Sequence, residues 1–192
     1  ILMNDFFSGC WYGDSAIMFS ILSELELKTG NDRSGTKFFL SKKKAESAKV
    51  GTTWRSKIGT KEREIDEKTG LFKTKLLAEN PWLMLMFNQY RDYHFKDFLF
   101  DQVTINYSPP GTIIKQHLDK VNVGDSVLVA YGDYGGGQTY IQNIKDRNFQ
   151  MHDCRLEPTI FNGSERKHGV TCVQGGNRYS LVFYKNKYKN KK

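Results

Sequence analysis

Cysteine is scarce in this chain: Cys10, Cys154 and Cys172 are the three in 192 residues. They are scattered, odd in number and free of any C-x-x-C spacing, which argues against a disulfide framework and a zinc ribbon. A reducing, intracellular setting is therefore expected, in the nucleus or wherever the genome resides. Long apolar runs are missing too. No uninterrupted stretch reaches the roughly 18 residues that a membrane helix needs, so no membrane association is expected. The opening Ile1-Leu2-Met3 has neither the basic start nor the apolar core of a signal peptide, and a chain without an initiator Met is expected to be a trimmed or excised piece. With four histidines and four prolines, each can be weighed individually.

What is present is ordinary for a globular chain: 39% hydrophobic and 14% aromatic residues. The length suits one domain that buries its core without cross-links, its oligomeric state taken as monomeric. The net charge of +8 favours an acidic or polyanionic partner. A merely solvated lysine surface would give the same number.

Gly13-Asp14 can cap a helix whose Ile17, Met18, Ile21, Leu22 and Leu25 form one apolar face, ended by Gly30. A short strand is expected at 36–40, then an exposed basic turn at Lys42-Lys43-Lys44. Residues 47–70 are polar without a sustained period and read as a long loop. Its Trp54 and Arg55 among many lysines suit a grip on a nucleic-acid backbone with a base stacked on the indole; a flexible insertion with an incidental Trp fits equally. Asn80-Pro81 signals a helix start, a capping side chain and then a proline at the first helical position, and the apolar residues that follow predict a buried helix over 82–91. Beyond it the texture changes to strands at 98–107, 112–117, 126–131, 138–142, 155–161, 168–173 and 178–185, with Pro- and Gly-rich turns between them. The Gly-rich segment 132–137 lacks a phosphate-loop pattern and reads as a hairpin. Seven or eight short strands after two helices argue for a mainly β fold, a jelly-roll barrel with N-terminal helices packed on one sheet. The expected organisation is a helical and basic-loop part at 1–97, a β core at 98–186 in the same domain, and a basic tail at 187–192.

Chemistry concentrates in the β region. His117 and Asp119 are alternate residues, so both face one side if the strand runs through them. His168, opening a later strand, completes two histidines and a carboxylate, the donor set of a facial triad that suits non-haem Fe(II) with positions left open for substrate and dioxygen. H-x-D alone is weak; the joint occurrence with His168, Arg178 and Ser180 carries the reading. Arg178 and Ser180 alternate on one strand, and a guanidinium and a hydroxyl suit the far carboxylate of a dicarboxylate co-substrate. A buried ion pair with a protein carboxylate is the structural alternative for Arg178. Asn106 and Tyr107, on the strand before His117, are candidates for the other end of the co-substrate or for the groups behind the iron ligands. His152, placed in a loop before a strand, could line the mouth of the site. His94 reads as a packed or surface histidine.

Asn106-Tyr107, His117-x-Asp119, Asn122-x-Gly124-x-Ser126, Gly132-Asp133-Tyr134-x-Gly136-Gly137, Phe161-Asn162-Gly163-Ser164 before His168, and Gly176-x-Arg178-Tyr179-Ser180 together resemble the 2-oxoglutarate dioxygenase superfamily. Within it the C-terminal half is most similar to nucleobase dioxygenases of the ten-eleven-translocation and base-J-binding-protein type. The resemblance implies a double-stranded β-helix, with Fe(II) on His117, Asp119 and His168. It also implies 2-oxoglutarate on Arg178 and Ser180, O2 as the oxidant, and hydroxylation of a methyl group of 5-methylcytosine or thymine in nucleic acid, DNA before RNA. A prolyl-type protein hydroxylase, an AlkB-like demethylase and a non-catalytic nucleic-acid-binding barrel are the alternatives. The cysteine-rich, zinc-binding region of the animal enzymes is absent, which leaves the basic segment 42–68 as the expected nucleic-acid contact.

Overall fold

Strands dominate because short runs of β-branched and aromatic residues, cut by Gly, Pro and Asn turns, leave little room for helical periodicity. The protein is described here by a computed structural model covering residues 15–25, 27, 39–40, 45–53, 56–58, 60–155 and 157–187. In chain order these give α1 (Ser15–Glu24), β1 (Phe39–Leu40), β2 (Glu46–Thr53), β3 (Lys57–Ile58), β4 (Lys61–Glu62), β5 (Phe72–Lys73), α2 (Lys75–Glu79) and α3 (Trp82–His94). There follow β6 (Gln102–Ser108), β7 (Ile113–His117), β8 (Asn122–Tyr131), β9 (Tyr134–Gly136), β10 (Thr139–Gln142) and β11 (Phe149–His152). The last are β12 (Thr159–Phe161), β13 (His168–Val170), β14 (Val173–Gly175) and β15 (Arg178–Asn186).

One sheet has six strands in the order β12-β8-β15-β6-β2-β5, the other five in the order β1-β7-β13-β10-β11. From β6 onward the chain crosses repeatedly between them: β6, β8, β12 and β15 lie in the larger sheet, β7, β10, β11 and β13 in the smaller. That crossing is the jelly-roll arrangement of a double-stranded β-helix, with the two sheets facing each other rather than closing into one barrel. The strand pairs of both sheets are antiparallel.

Side-chain alternation gives the larger sheet two different faces. Val103, Ile105, Val127, Val129, Leu181 and Phe183 point outward onto the helices, where α3 buries Leu83, Met86, Phe87 and Tyr90 at helical spacing and α1 adds Met18, Ile21 and Leu22. Phe183 sits at the centre of this layer, its ring 5.7 Å from Phe87 and 5.1 Å from both Phe95 and Phe100. The opposite face looks between the sheets, where Leu128, Ala130 and Val182 meet Ile141, Phe161 and Val173. The helices expected to back one sheet do so.

Several local expectations change. The loop expected over 47–70 contains β2, an eight-residue strand inserted between β6 and β5. Its sequence hides this because Ala48 and Val50 are its only apolar side chains on the helix-facing side, and burial comes from neighbours rather than from its own hydrophobicity. At Gly51 the backbone, with φ of 137°, lies against the Asp101 carbonyl where a Cβ would not fit. Asn80 does not cap α3. Its side-chain amide donates to the Leu76 carbonyl at 3.3 Å, closing α2, a helix not expected at all. The Gly-rich segment is not a simple hairpin, since β9 pairs with the distant β14. Gly13, Asp14, Gly30, the basic turn at 42–44, Trp54, Arg55 and the tail 188–192 lie outside the described residues.

Candidate metal centre and buried arginine

His117 ends β7, His168 opens β13, and the two are direct partners in the antiparallel ladder. They share a face with Ile141, the partner of His168 on its other side, so both look between the sheets. Between the pairs His117–His168 and Ile114–Val170, β7 holds one residue more than β13, a bulge that re-aims the end of the strand. The strand does not run on to Asp119, as the alternation argument assumed. Asp119 stands in the turn beyond it, its N–H donating to the Gly163 carbonyl at 2.8 Å and its carbonyl accepting from Asn122 N–H at 2.9 Å.

The three ligand atoms lie within 4.8 Å of one another. Asp119 Oδ1 is 3.7 Å from His117 Nε2, and Oδ2 is 3.4 Å from His168 Nε2. Nδ1 of His117 lies 2.8 Å from the Lys115 carbonyl and Nδ1 of His168 lies 2.9 Å from that of Arg166. A carbonyl only accepts, so each Nδ1 carries a proton and each Nε2 is turned to the carboxylate, the orientation in which a metal would take its lone pair. Burial, and then the neighbouring His168, push the His117 imidazole below its ordinary range and favour the neutral ligand form. Burial alone would raise the Asp119 carboxyl; the hydrogen bond and charge of His168, then His117 and Lys49, overcome it and hold the group below the usual carboxylate range. Two imidazoles and one carboxylate, all from oriented side chains, fit a divalent cation of the Fe(II) type.

Among the described residues Arg178 is the largest fully buried side chain, 1% exposed, and none of its three guanidinium nitrogens has a hydrogen-bond partner there. It alternates with Ser180 and Val182, and Val182 packs between the sheets, so the guanidinium shares that interior with the His–Asp–His cluster. Among the described residues no carboxylate pairs with it. Asp153, whose charge it feels, is engaged with Arg155 at 2.6 Å. What lies against it is the Tyr134 ring, 5.8 Å from centroid to guanidinium carbon. Burial raises the Tyr134 phenol, and Arg178 opposes that rise without reaching good hydrogen-bond geometry. A buried guanidinium with its fork of donors open is costly unless an anion arrives, and a bidentate carboxylate is the group that fits.

Across the same face run Ser47, Asn106 and Ser180, register partners on β2, β6 and β15. Ser47 donates to Asn106 Oδ1 at 2.9 Å, and Asn106 Nδ2 donates to Ser180 Oγ at 3.4 Å. Asn106 and Ser180 are thus brought to the interior beside Arg178. Tyr107 is not: adjacent residues on a strand face opposite ways, and its ring packs 5.1 Å from Tyr179 on the helix side while its hydroxyl donates to Asn177 at 3.2 Å. His152 lies on β11 rather than in a loop. It pairs with Thr139 on the inward side, with Nε2 buried and unpartnered. His94 packs in α3 against Tyr90.

Three contributors escaped the sequence reading as individual residues. Asn122 Nδ2 donates to Asp119 Oδ2 at 3.4 Å and to Ser126 Oγ at 3.2 Å, fixing the carboxylate. A Cβ on Gly163 would stand 3.1 Å from Asp119 Oδ2 and 3.3 Å from His168 Cε1, so glycine leaves the space the cluster occupies. Tyr134 supports Arg178. All three sit in the segments that carried the family resemblance, which was the available signal.

No protein-family model and no curated protein matches this sequence. Solved structures do match in shape. A 2OG-Fe(II) oxygenase family oxidoreductase from Burkholderia pseudomallei aligns over 92% of this chain and 81% of its own, with a TM-score of 0.53 and 16% identity. OsALKBH1 aligns over 90% and 91%, with a TM-score of 0.52 and 15% identity. A Pseudomonas putida prolyl-4-hydroxylase aligns over 96% and 90%, at 0.51 and 14%. With its crossing sheets around a His–Asp–His cluster and a buried arginine, the protein has the fold of the 2OG-Fe(II) oxygenases.

Proposed function

We propose that the protein is an Fe(II)/2-oxoglutarate-dependent dioxygenase that hydroxylates a methyl group of a nucleobase, 5-methylcytosine or thymine, in nucleic acid, with DNA the favoured partner. The observation that carries the enzymatic reading is Arg178: a buried guanidinium with no carboxylate partner among the described residues, facing the same interior as three oriented metal ligands. His117, Asp119 and His168 would hold the metal. Arg178, with Ser180 in hydrogen-bonding reach of Asn106, would hold the far carboxylate of the co-substrate. When bound, the pair supplies the oxidising power of dioxygen, converting the oxo acid to succinate and CO2 and placing one oxygen atom in an unactivated C–H bond.

The chain's own residues do the rest. Lys115 and Arg166 carbonyls hold the two imidazoles in one tautomer, and Asn122 keeps Asp119 turned to them. Leu128, Ile141, Phe161 and Val182 exclude water between the sheets. The nucleobase assignment is supported by the net charge of +8 and by the Asn122-x-Gly124-x-Ser126 and Gly132-Asp133-Tyr134 segments. A prolyl-type hydroxylase commonly carries Lys where Arg178 stands. A methyl group inside a duplex is reachable only if its base is turned out of the stack.

The test is anaerobic loading with Fe(II) and 2-oxoglutarate, admission of air, and mass spectrometry of nucleosides from DNA containing 5-methylcytosine and thymine, with His168→Ala and Arg178→Ala alongside. Hydroxymethylpyrimidine that disappears in both variants is expected, and it identifies the base. Succinate without a modified nucleoside keeps the oxygenase and overturns the nucleobase.

A further inference from the structure

The connection between β10 and β11 is a short, internally braced hairpin tip. Asn143 N–H donates to the Asn148 carbonyl at 2.7 Å, Arg147 N–H to the Asn143 carbonyl at 3.0 Å, Lys145 N–H to Asn143 Oδ1 at 3.0 Å, and Asn148 N–H to Asp146 Oδ1 at 3.0 Å. Every side chain from Ile144 to Asn148 is exposed. At the tip Ile144 is 71% exposed, more than any other large hydrophobic among the described residues. Lys145 and Arg147 follow it within three residues, while the single acid, Asp146, is engaged in the turn. Arg147 adopts a φ of 60°, a left-handed conformation that glycine or asparagine would take with less strain. A residue held there is a reason to ask what its side chain does.

The tip is tied to the metal end of the fold. Ile141 is the ladder partner of His168, Gln142 N–H donates to the Lys167 carbonyl at 2.8 Å, and Arg166 Nε donates to the Gln142 carbonyl at 2.7 Å. That same Arg166 presents the carbonyl that fixes the His168 ring. With a strand rise of about 3.3 Å per residue, Ile144 lies on the order of 10 Å beyond the His168 row. An apolar side chain beside two cations on a hydrogen-bonded tip, one hairpin away from the metal ligands, has the chemistry of a wedge for a stacked polyanion. The cations meet the backbone phosphates, and the apolar group fills the space that a displaced base leaves.

We infer that the 143–148 tip is a duplex-nucleic-acid wedge, in which Ile144 enters the base stack to hold the gap left when the target base turns into the site, and Lys145 and Arg147 contact the flanking phosphates. This rests on the nucleobase reading above. The test uses the Fe(II)- and 2-oxoglutarate-loaded protein on one oligonucleotide containing 5-methylcytosine and thymine, presented as a duplex and as a single strand. A 2-aminopurine beside the target reports unstacking anaerobically, before any turnover. Ile144→Ala is expected to lower the ratio of duplex to single-strand turnover about tenfold or more and to abolish the 2-aminopurine rise on duplex, whereas Ile144→Phe retains both. An unchanged ratio in Ile144→Ala, with its fluorescence rise intact, overturns the wedge. So does a wild type that modifies single strands only, although the nucleobase reading then stands. Succinate formed with no nucleic acid modified removes both.

Discussion

The two faces of the six-stranded sheet are equally dry and differently made. Outward, Val103, Ile105, Val127, Val129, Leu181 and Phe183 meet helices with apolar surface alone. Inward, the alternate residues of the same strands add to Leu128, Ala130 and Val182 a polar set, Gln102, Asn106, Ser108, Ser126, Arg178 and Ser180, most of them fully buried. The first face gains stability from every side chain. The second buries polar groups, Arg178 and Ser108 among them, that have no partner among the described residues, and such groups lower stability until a ligand arrives. One strand, β15, thus carries both tasks on a period of two, so the scaffold that positions Arg178 is the hydrophobic layer on its reverse side.

The contrast breaks most sharply at Phe183. Fully buried amid four other rings, it should lose about 3–5 kcal/mol on change to alanine, with the metal site lost because β15 no longer holds its register; chemical unfolding and metal titration measure both. Arg178→Met should do the opposite on the inward face. Binding of 2-oxoglutarate, followed calorimetrically with Mn(II) in place of iron, should disappear, while the ligand-free protein melts no lower than wild type and up to about 3 kcal/mol more stable, since an uncompensated buried charge has gone. A melt that falls as far as that of Phe183→Ala would mean that Arg178 is a structural element and would undo the comparison. The smallest effect belongs to His94 in the helix layer. Burial lowers its pKa from the ordinary value, so as pH falls through about 6.5 the unfolded chain takes the proton before the folded one does. The contribution is therefore full above that pH and declines in acid. Urea midpoints followed from neutral to acidic pH should show a shallower decline in His94→Gln.

Much of this was written in the sequence because the β region is locally consistent. Turn residues fall between strands, the spacing of His117 and Asp119 and the alternation of Arg178 with Ser180 are legible, and α3 announces itself by its apolar residues. What was not legible depends on partners. β2 reads as loop because its burial is supplied by β6 and α2; Tyr107 reads as a neighbour of Asn106 although the pleat sends it to the other side. Asp119 reaches the site through Gly163 and Asn122, contacts that no spacing rule contains. Asn80-Pro81 marked the start of α3 correctly, but the Asn80 amide closes the preceding helix instead of capping α3.

The cross-strand pairing of His117 with His168 has a further consequence, one of chain topology. A cation held by both would close a loop of about fifty residues that includes β8, β10, β11 and β12, and closing a long loop removes conformational freedom chiefly from the open chain. The same ion that prepares the site for chemistry would then act as a removable cross-link through the middle of the fold. Amide hydrogens of β7 and β13 would register its departure together, as a cooperative loosening of the smaller sheet while the helix-backed sheet stays closed.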